Sequence, residues 1–314
     1  VPGVLRIAAA QLGPVARAAT RADVVARLVA LMEQAAARQA RLVVFPELAL
    51  TSFFPRWLLD DAELDRFYET SMPGPATQPL FDAARRLGLA FSLGYAELTP
   101  AGRRFNSSLL VAADGRPVAG YRKVHRPGDR EFREGAAFQH LEKRYFETGD
   151  GGFVVHAAPL GGSDVRTGLL ICNDRRWPEA WRVLGLQGVE LVLLGFNTPL
   201  HNPEAPAHDA YVQAQHRLVV QAGAYQNACW AVAVAKAGVE EGQALLSDTI
   251  IVAPSGEIVA ASQTEGDEIV VADCDLDLAR SYRESIFDFA AHREPQAYGL
   301  IVERKGAGPA PGPA

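Results

Sequence analysis

What most constrains the fold of this chain is a series of short apolar runs along its length. Leu5–Gln11, Leu42–Phe45, Leu89–Leu93, Thr167–Ile171, Leu191–Leu194 and Cys229–Ala235 each span only four to seven residues. Runs of that length suit buried strands, since a buried helix needs ten or more residues. Helical spacing fills the gaps between them. Thr20 and Asp23 have capping-box spacing, with Asp in place of the usual Glu, and Val24, Leu28, Leu31 and Ala35 then recur at helical intervals. Residues 77–87 and 209–226 read as helices, and Pro178 marks the first turn of another. Two hairpins are mixed in. Phe105–Ala112 and Pro117–Lys123 are joined through Asp114-Gly115, and a fainter echo joins Thr249–Ala253 to Glu257–Ala261 through Ser255-Gly256. Strands that alternate with helices and also form hairpins imply an α/β fold with mixed sheets.

No Pro/Gly-rich linker interrupts the 314 residues, so residues 1–305 read as one domain. Residues 306–314 (GAGPAPGPA) form a low-complexity tail expected to be disordered. The net charge of −6 and the lack of a basic stripe argue against a nucleic-acid partner. The densest basic stretch, Tyr121–Arg133, is broken by Pro127, Gly128 and Asp129. No apolar run approaches the roughly 20 residues of a membrane span, and Val1–Leu12 lacks the pattern of a secretory leader. Three cysteines, an odd and low number, do not make a disulfide scaffold, so a reducing, cytoplasmic setting is expected.

The cysteines differ in their surroundings. Cys229 lies in an apolar strand, and Cys274 sits between Asp273 and Asp275, where a thiolate is disfavoured. Cys172 ends the Gly168–Ile171 strand and precedes Asn173, Asp174, Arg175 and Arg176, with a helix starting near Pro178. A strand end facing a helix N-terminus and two guanidinium groups favours a thiolate. A nucleophile needs a base. Seven histidines are available, and none can be placed beside Cys172 from sequence. Glu47, at the end of the Leu42–Phe45 strand, is another candidate, because a carboxylate against apolar walls becomes a usable base. Lys123 closes the first hairpin, where an ammonium suits a developing oxyanion, although a surface lysine beside a turn reads the same way. His-Glu-x-x-His, Cys-x-x-Cys, Gly-x-Ser-x-Gly and phosphate-loop motifs are all missing.

Three segments, taken together, resemble the Glu, Lys and Cys motifs of the nitrilase superfamily. They are Phe45-Pro46-Glu47, Tyr121-Arg122-Lys123-Val124-His125 and Ile171-Cys172-Asn173-Asp174. Five further segments narrow the resemblance to N-carbamoyl-D-amino acid amidohydrolases: Phe53–Trp57, His140–Phe146, Cys172–Trp177, Asn197-Thr198-Pro199 and His292–Gln296. The resemblance runs from about Leu5 to Val302.

It implies a four-layer αββα sandwich with two mixed sheets face to face. Cys172 is then the nucleophile, Glu47 the base and Lys123 an oxyanion donor, with Glu142 positioning Lys123 or a substrate nitrogen. Arg175 and Arg176 would face the substrate α-carboxylate, with Asn173, Asn197, Thr198 and His140 lining the pocket. The implied reaction hydrolyses an N-carbamoyl-D-amino acid to the free amino acid, ammonia and carbon dioxide, without cofactor or metal. The implied partners are a small carbamoyl amino acid and further copies of the chain, as a homodimer or homotetramer, with no nucleic acid and no membrane. The rivals are an amidase, a nitrilase, a β-ureidopropionase-like enzyme and, more remotely, a non-catalytic binding module. Two departures from the pattern stand out. Arg126 replaces an apolar residue beside the Lys123 motif, and the 129–138 segment is slightly shorter, which puts the pocket entrance in question.

Overall fold

A computed structural model describes residues 3–136 and 138–308. The six apolar runs all become strands, and they are divided between two mixed sheets. The path through the first, seven-stranded sheet is Glu268–Asp275, Val4–Gln11, Leu42–Val44, Ala90–Leu98, Arg104–Val111 and Pro117–Arg122, with Tyr68–Glu69 paired alongside Ala90–Leu98. The six-stranded second sheet runs Ile258–Ala261, Ile250–Val252, Trp230–Ala235, Leu191–Phe196, Ser163–Ile171 and Val155–Leu160.

The sheets share a plan. In the first, Val4–Gln11, Leu42–Val44 and Ala90–Leu98 are parallel, and the 104–122 hairpin returns antiparallel beside them. In the second, Ser163–Ile171, Leu191–Phe196 and Trp230–Ala235 are parallel, and the 250–261 hairpin returns antiparallel. The two hairpins visible in the sequence therefore occupy equivalent places, one in each sheet.

Side-chain alternation along the strands produces the layers. Ile7, Ala9, Leu42 and Val44 face the second sheet and pack with Leu169, Leu191 and Leu193. Ala8, Ala10, Val43 and Phe91 face outward onto Val24, Leu28 and Leu31 of the Arg21–Ala37 helix and Leu80 and Phe81 of the Gln78–Leu87 helix. Trp181 and Leu184 of the Pro178–Leu186 helix, with Val220 and Ala224 of the Val212–Gln226 helix, cover the far side. The result is the expected αββα sandwich. Each fully buried Leu or Val in it contributes about 1.5–3 kcal/mol.

The first helix starts as its spacing predicts. Thr20 Oγ1 accepts the Asp23 N–H at 3.2 Å, and its own hydroxyl donates to the Asp23 carboxylate at 2.6 Å. The helix expected over 209–226 instead opens with a 3₁₀ turn, Pro206–Tyr211, before the α-helix begins at Val212. Val155–Leu160 and Glu268–Asp275 are strands outside the six runs. Each lies at the edge of its sheet with exposed residues among its buried ones, and the second carries a short apolar run, Ile269–Ala272, between Glu268 and Asp273. Most of the expected disordered tail, from residue 309, lies outside the described residues. Among the described residues no helix is long and apolar enough to cross a membrane.

Glu47, Lys123, Cys172 and Asn197 all follow the carboxyl ends of strands, on the same side of the sandwich. Two glycines let the sheets close on the first of these. A Cβ on Gly94 would lie 2.6 Å from Pro46 O, and one on Gly195 would lie 2.5 Å from Glu47 N. Gly94 belongs to the first sheet and Gly195 to the second, so any side chain there would push the Glu47 loop out of the cleft.

Candidate active site

Lys123 is the centre of the site. It is 1% exposed, and its ammonium lies 2.7 Å from Glu47 Oε1 and 2.6 Å from Glu142 Oε1. Both carboxylates are fully buried. Glu142 is therefore no member of a solvated charge run: the turn Glu142–Tyr145 aims it inward while Lys143 and Arg144 stay outside. Asn106 joins the cluster, its Nδ2 donating to Glu47 Oε1 at 2.8 Å and reaching Glu142 Oε1 at 3.3 Å. His140 Nε2 lies 3.2 Å from Glu142 Oε2, and the His140 ring meets the edge of Phe53 at 5.2 Å.

The electrostatics follow from this arrangement. Burial works against the Lys123 ammonium, but Glu142 and Glu47 outweigh it and the lysine pKa rises above its ordinary value. Burial likewise opposes ionised Glu142, and Lys123 and His140 overcome it, so the Glu142 pKa falls. Both groups remain charged.

Cys172 is buried and has φ +47°, a left-handed conformation that an L-residue adopts only under constraint. It opens a 3₁₀ turn, Cys172–Arg176, and its Sγ–H donates to Asn197 O at 3.5 Å. The sequence expectation of a stabilised thiolate is corrected here. Burial first, and then Glu47, push the thiol pKa up, and Lys123 and Arg175 offset this only in part. The α-helix begins at Pro178, beyond the 3₁₀ turn, so its N-terminus is not immediately at the sulfur. The resting group is a thiol, which makes a base necessary. Cys229 and Cys274 are also pushed up by burial, Cys229 to about 12.

The expected arginine pair is split. Consecutive residues of a 3₁₀ turn point about 120° apart. Arg175 turns inward and is 1% exposed, while Arg176 is exposed and bonds Asn173 Oδ1 at 3.3 Å. Arg175 donates to Cys172 O at 2.7 Å and to Thr198 Oγ1 at 2.9 Å, lies 3.7 Å from Cys172 Sγ and covers the Phe196 ring. Its Nε is buried with no partner, and no carboxylate pairs with it among the described residues. Asn197 is 4% exposed, and its Nδ2 also lacks a partner. Asn173, by contrast, uses both ends of its amide internally, donating to His125 O at 3.2 Å and accepting from Arg176.

Two site residues escaped the sequence reading. Asn106 is one, although an Asn in an apolar strand, where that residue is depleted, is itself a signal. Asp174 is the other. It is fully buried and accepts from Tyr121 O–H at 2.8 Å, His125 N at 2.9 Å and Ile171 N at 3.1 Å, tying the lysine strand to the cysteine turn. Beside the Lys123 motif, Arg126 donates to Phe146 O and to Thr148 Oγ1, so its guanidinium ties that turn to the 146–148 segment. The 129–138 segment bonds across to the 197–211 loop through Arg133 and Glu204. Among the described residues no group of three or more His, Cys, Asp or Glu side chains could hold a metal ion.

Comparison with known proteins shows the family and the fold. The family model described as carbon-nitrogen hydrolase matches residues 6–284. An N-carbamoylputrescine amidase of Arabidopsis thaliana is 28% identical, covering 88% of this chain and 89% of its own length. An (R)-stereoselective amidase of a Pseudomonas species is 30% identical, covering 83% and 82%. The fold matches a carbon-nitrogen hydrolase from Helicobacter pylori G27 with a TM-score of 0.81 at 21% identity, over 96% of this chain and 99% of that one.

Proposed function

The chain belongs to the carbon-nitrogen hydrolase family, within the nitrilase superfamily, and from that premise we propose that it hydrolyses N-carbamoyl amino acids, preferring the D-enantiomer, through a covalent intermediate on Cys172. The observation that carries this reading is Arg175. A buried guanidinium with an open N–H and no carboxylate partner is costly unless a ligand supplies the anion. It lies 3.7 Å from the sulfur, so the anion belongs close to the scissile bond, as an α-carboxylate is to its carbamoyl group. The open Asn197 Nδ2 is a second donor for the same ligand, and Arg176 adds positive charge from the exposed side of the turn. Thr198 holds Arg175, and Asn173 holds Arg176.

The chemistry then runs as follows. The Sγ–H proton passes to Glu47 while sulfur bonds to the ureido carbon. Lys123 and the backbone N–H following Cys172 receive the oxyanion. The C–N bond breaks as Glu47 returns the proton to the departing nitrogen, and ammonia leaves a thiocarbamate on Cys172. Water, deprotonated by Glu47, cleaves the S–C bond and restores the thiol. The N-carboxy product loses carbon dioxide to give the amino acid. Glu142 keeps Lys123 charged throughout, and His140 holds Glu142.

Two other substrate classes are less compatible with Arg175. A cationic substrate of the kind named for the Arabidopsis relative would meet its charge unscreened, and a neutral amide would leave it unpaired. The D preference draws on the Pseudomonas relative, described as R-selective, because most D-amino acids are R at the α-carbon. The test is ammonia release from N-carbamoyl-D- and L-amino acids, N-carbamoylputrescine, a β-ureido acid and a simple amide. N-carbamoyl-D-amino acids should give the highest kcat/KM. Preference for the amine or the simple amide would overturn the reading.

A further inference from the structure

A second buried ion pair, Lys236 and Glu240, lies outside the machinery just described. Both side chains are fully buried, and the ammonium is 2.5 Å from Glu240 Oε2. What else they hold is informative. Lys236 Nζ donates to Thr51 O at 2.6 Å. Glu240 Oε1 accepts the Phe53 N–H at 2.7 Å, and Oε2 accepts the Val15 N–H at 3.1 Å. Arg56 donates to Glu240 O at 2.6 Å. The pair therefore grips the 51–56 segment at three points.

That segment connects both catalytic carboxylates. At one end it continues from Glu47 through Leu48, whose φ is +47°, and Ala49, whose N–H bonds Gly94 O at 2.9 Å. At the other, Pro55 O accepts the Leu141 N–H at 2.7 Å, one residue before Glu142, and Phe53 packs against His140, which bonds Glu142. We propose that Lys236 and Glu240 are positioning residues that fix the spacing of Glu47 and Glu142 around Lys123. A hydrophobic plug could fill the same volume, but only an acceptor with two oxygens serves Phe53 N and Val15 N together while meeting a cation. The inference rests on the roles given above to Glu47 and Cys172.

The variants are Lys236→Met, Glu240→Gln and the double variant Lys236→Met/Glu240→Gln. The double variant removes both charges of the pair together, so that only Arg56, 3.7 Å from Glu240 Oε1, loses a carboxylate, and it keeps the test valid if a single variant does not fold. Three quantities are read per folded molecule: kcat, KM, and the rate at which iodoacetamide alkylates Cys172, scored by peptide mass. The expected result is a fall of about tenfold or more in kcat, as ångström-scale misplacement of catalytic groups produces, with KM within about twofold and a Cys172 alkylation rate shifted from that of the parent. Values of kcat and alkylation rate matching the parent would overturn the inference. If Cys172→Ala retains activity, the reading of the catalytic site fails instead, and the two failures are distinct.

Discussion

Two lysines are buried in the same molecule, and they differ in instructive ways. Lys236 meets one carboxylate, and both oxygens of Glu240 are occupied by donors. Burial dominates there, and the lysine pKa falls below its ordinary value. Lys123 meets two carboxylates, so the attraction of Glu142 and Glu47 exceeds the cost of burial and its pKa rises. Glu47 Oε2 is left without a partner, and a thiol lies within the same field. A closed cluster whose carboxylate oxygens are both occupied holds backbone in place. An open cluster with a surplus carboxylate, an unfilled acceptor and a nucleophile can move a proton.

Each prediction tests that contrast. The largest effect is expected at the open cluster. Glu47→Gln should lower kcat by about 10³-fold, within the range for removing a general base. Iodoacetamide should still alkylate Cys172, with the pH midpoint of alkylation moved down, because Glu47 raises the thiol pKa. Unchanged turnover would show that the acceptor is not the base. Lys123→Met should cost about 10²–10³-fold in kcat, as for loss of an oxyanion donor, and steady-state kinetics would reveal a smaller role.

Next comes the anion anchor. Arg175→Gln should lower kcat/KM for a carboxylate-bearing substrate by about 30-fold or more, mostly through KM, as for a buried charge left unpaired. Uncharged amides should be spared. Equal losses on both substrates would mean that Arg175 supports only the cysteine turn. Asn106→Ala should cost about tenfold in kcat, since it removes a buried hydrogen bond to charged carboxylates worth about 1.5–3 kcal/mol. Parent-like kinetics in that variant would remove Asn106 from the site.

The smallest effect is on stability. The folded Glu142 pKa is depressed, so its contribution is present above the unfolded value of about 4.3 and is lost as pH falls through the folded pKa. The gap in urea midpoint between the parent and Glu142→Gln should therefore be full near neutrality and shrink below about pH 4.3. A gap independent of pH would mean that Glu142 acts through packing alone.

Much of this was legible in the sequence, for reasons that differ by residue. The apolar runs give the central strands because those strands are buried on both faces. Glu47, Lys123 and Cys172 stand out because each follows a strand end, and the resemblance joins them in one site. The edge strands Val155–Leu160 and Glu268–Asp275 are harder to read, because small or polar residues, Ala157 and Pro159 in one and Asp273 and Asp275 in the other, face solvent among the buried ones. The split of Arg175 from Arg176 depends on a 3₁₀ turn that adjacency in sequence does not show. The thiol pKa depends on burial and on Glu47, which is distant in sequence, so local reading gave the wrong direction. Asn106, Lys236 and Glu240 matter through partners far along the chain.

The claim that the open cluster does chemistry on Cys172 is tested most directly by acid-quenching the enzyme during turnover of an N-carbamoyl-D-amino acid and weighing the Cys172 peptide. The account predicts an added mass equal to the substrate less ammonia on that peptide, absent from the Cys172→Ala variant, which should release no ammonia. Turnover in the Cys172→Ala variant with no adduct in the parent would contradict it.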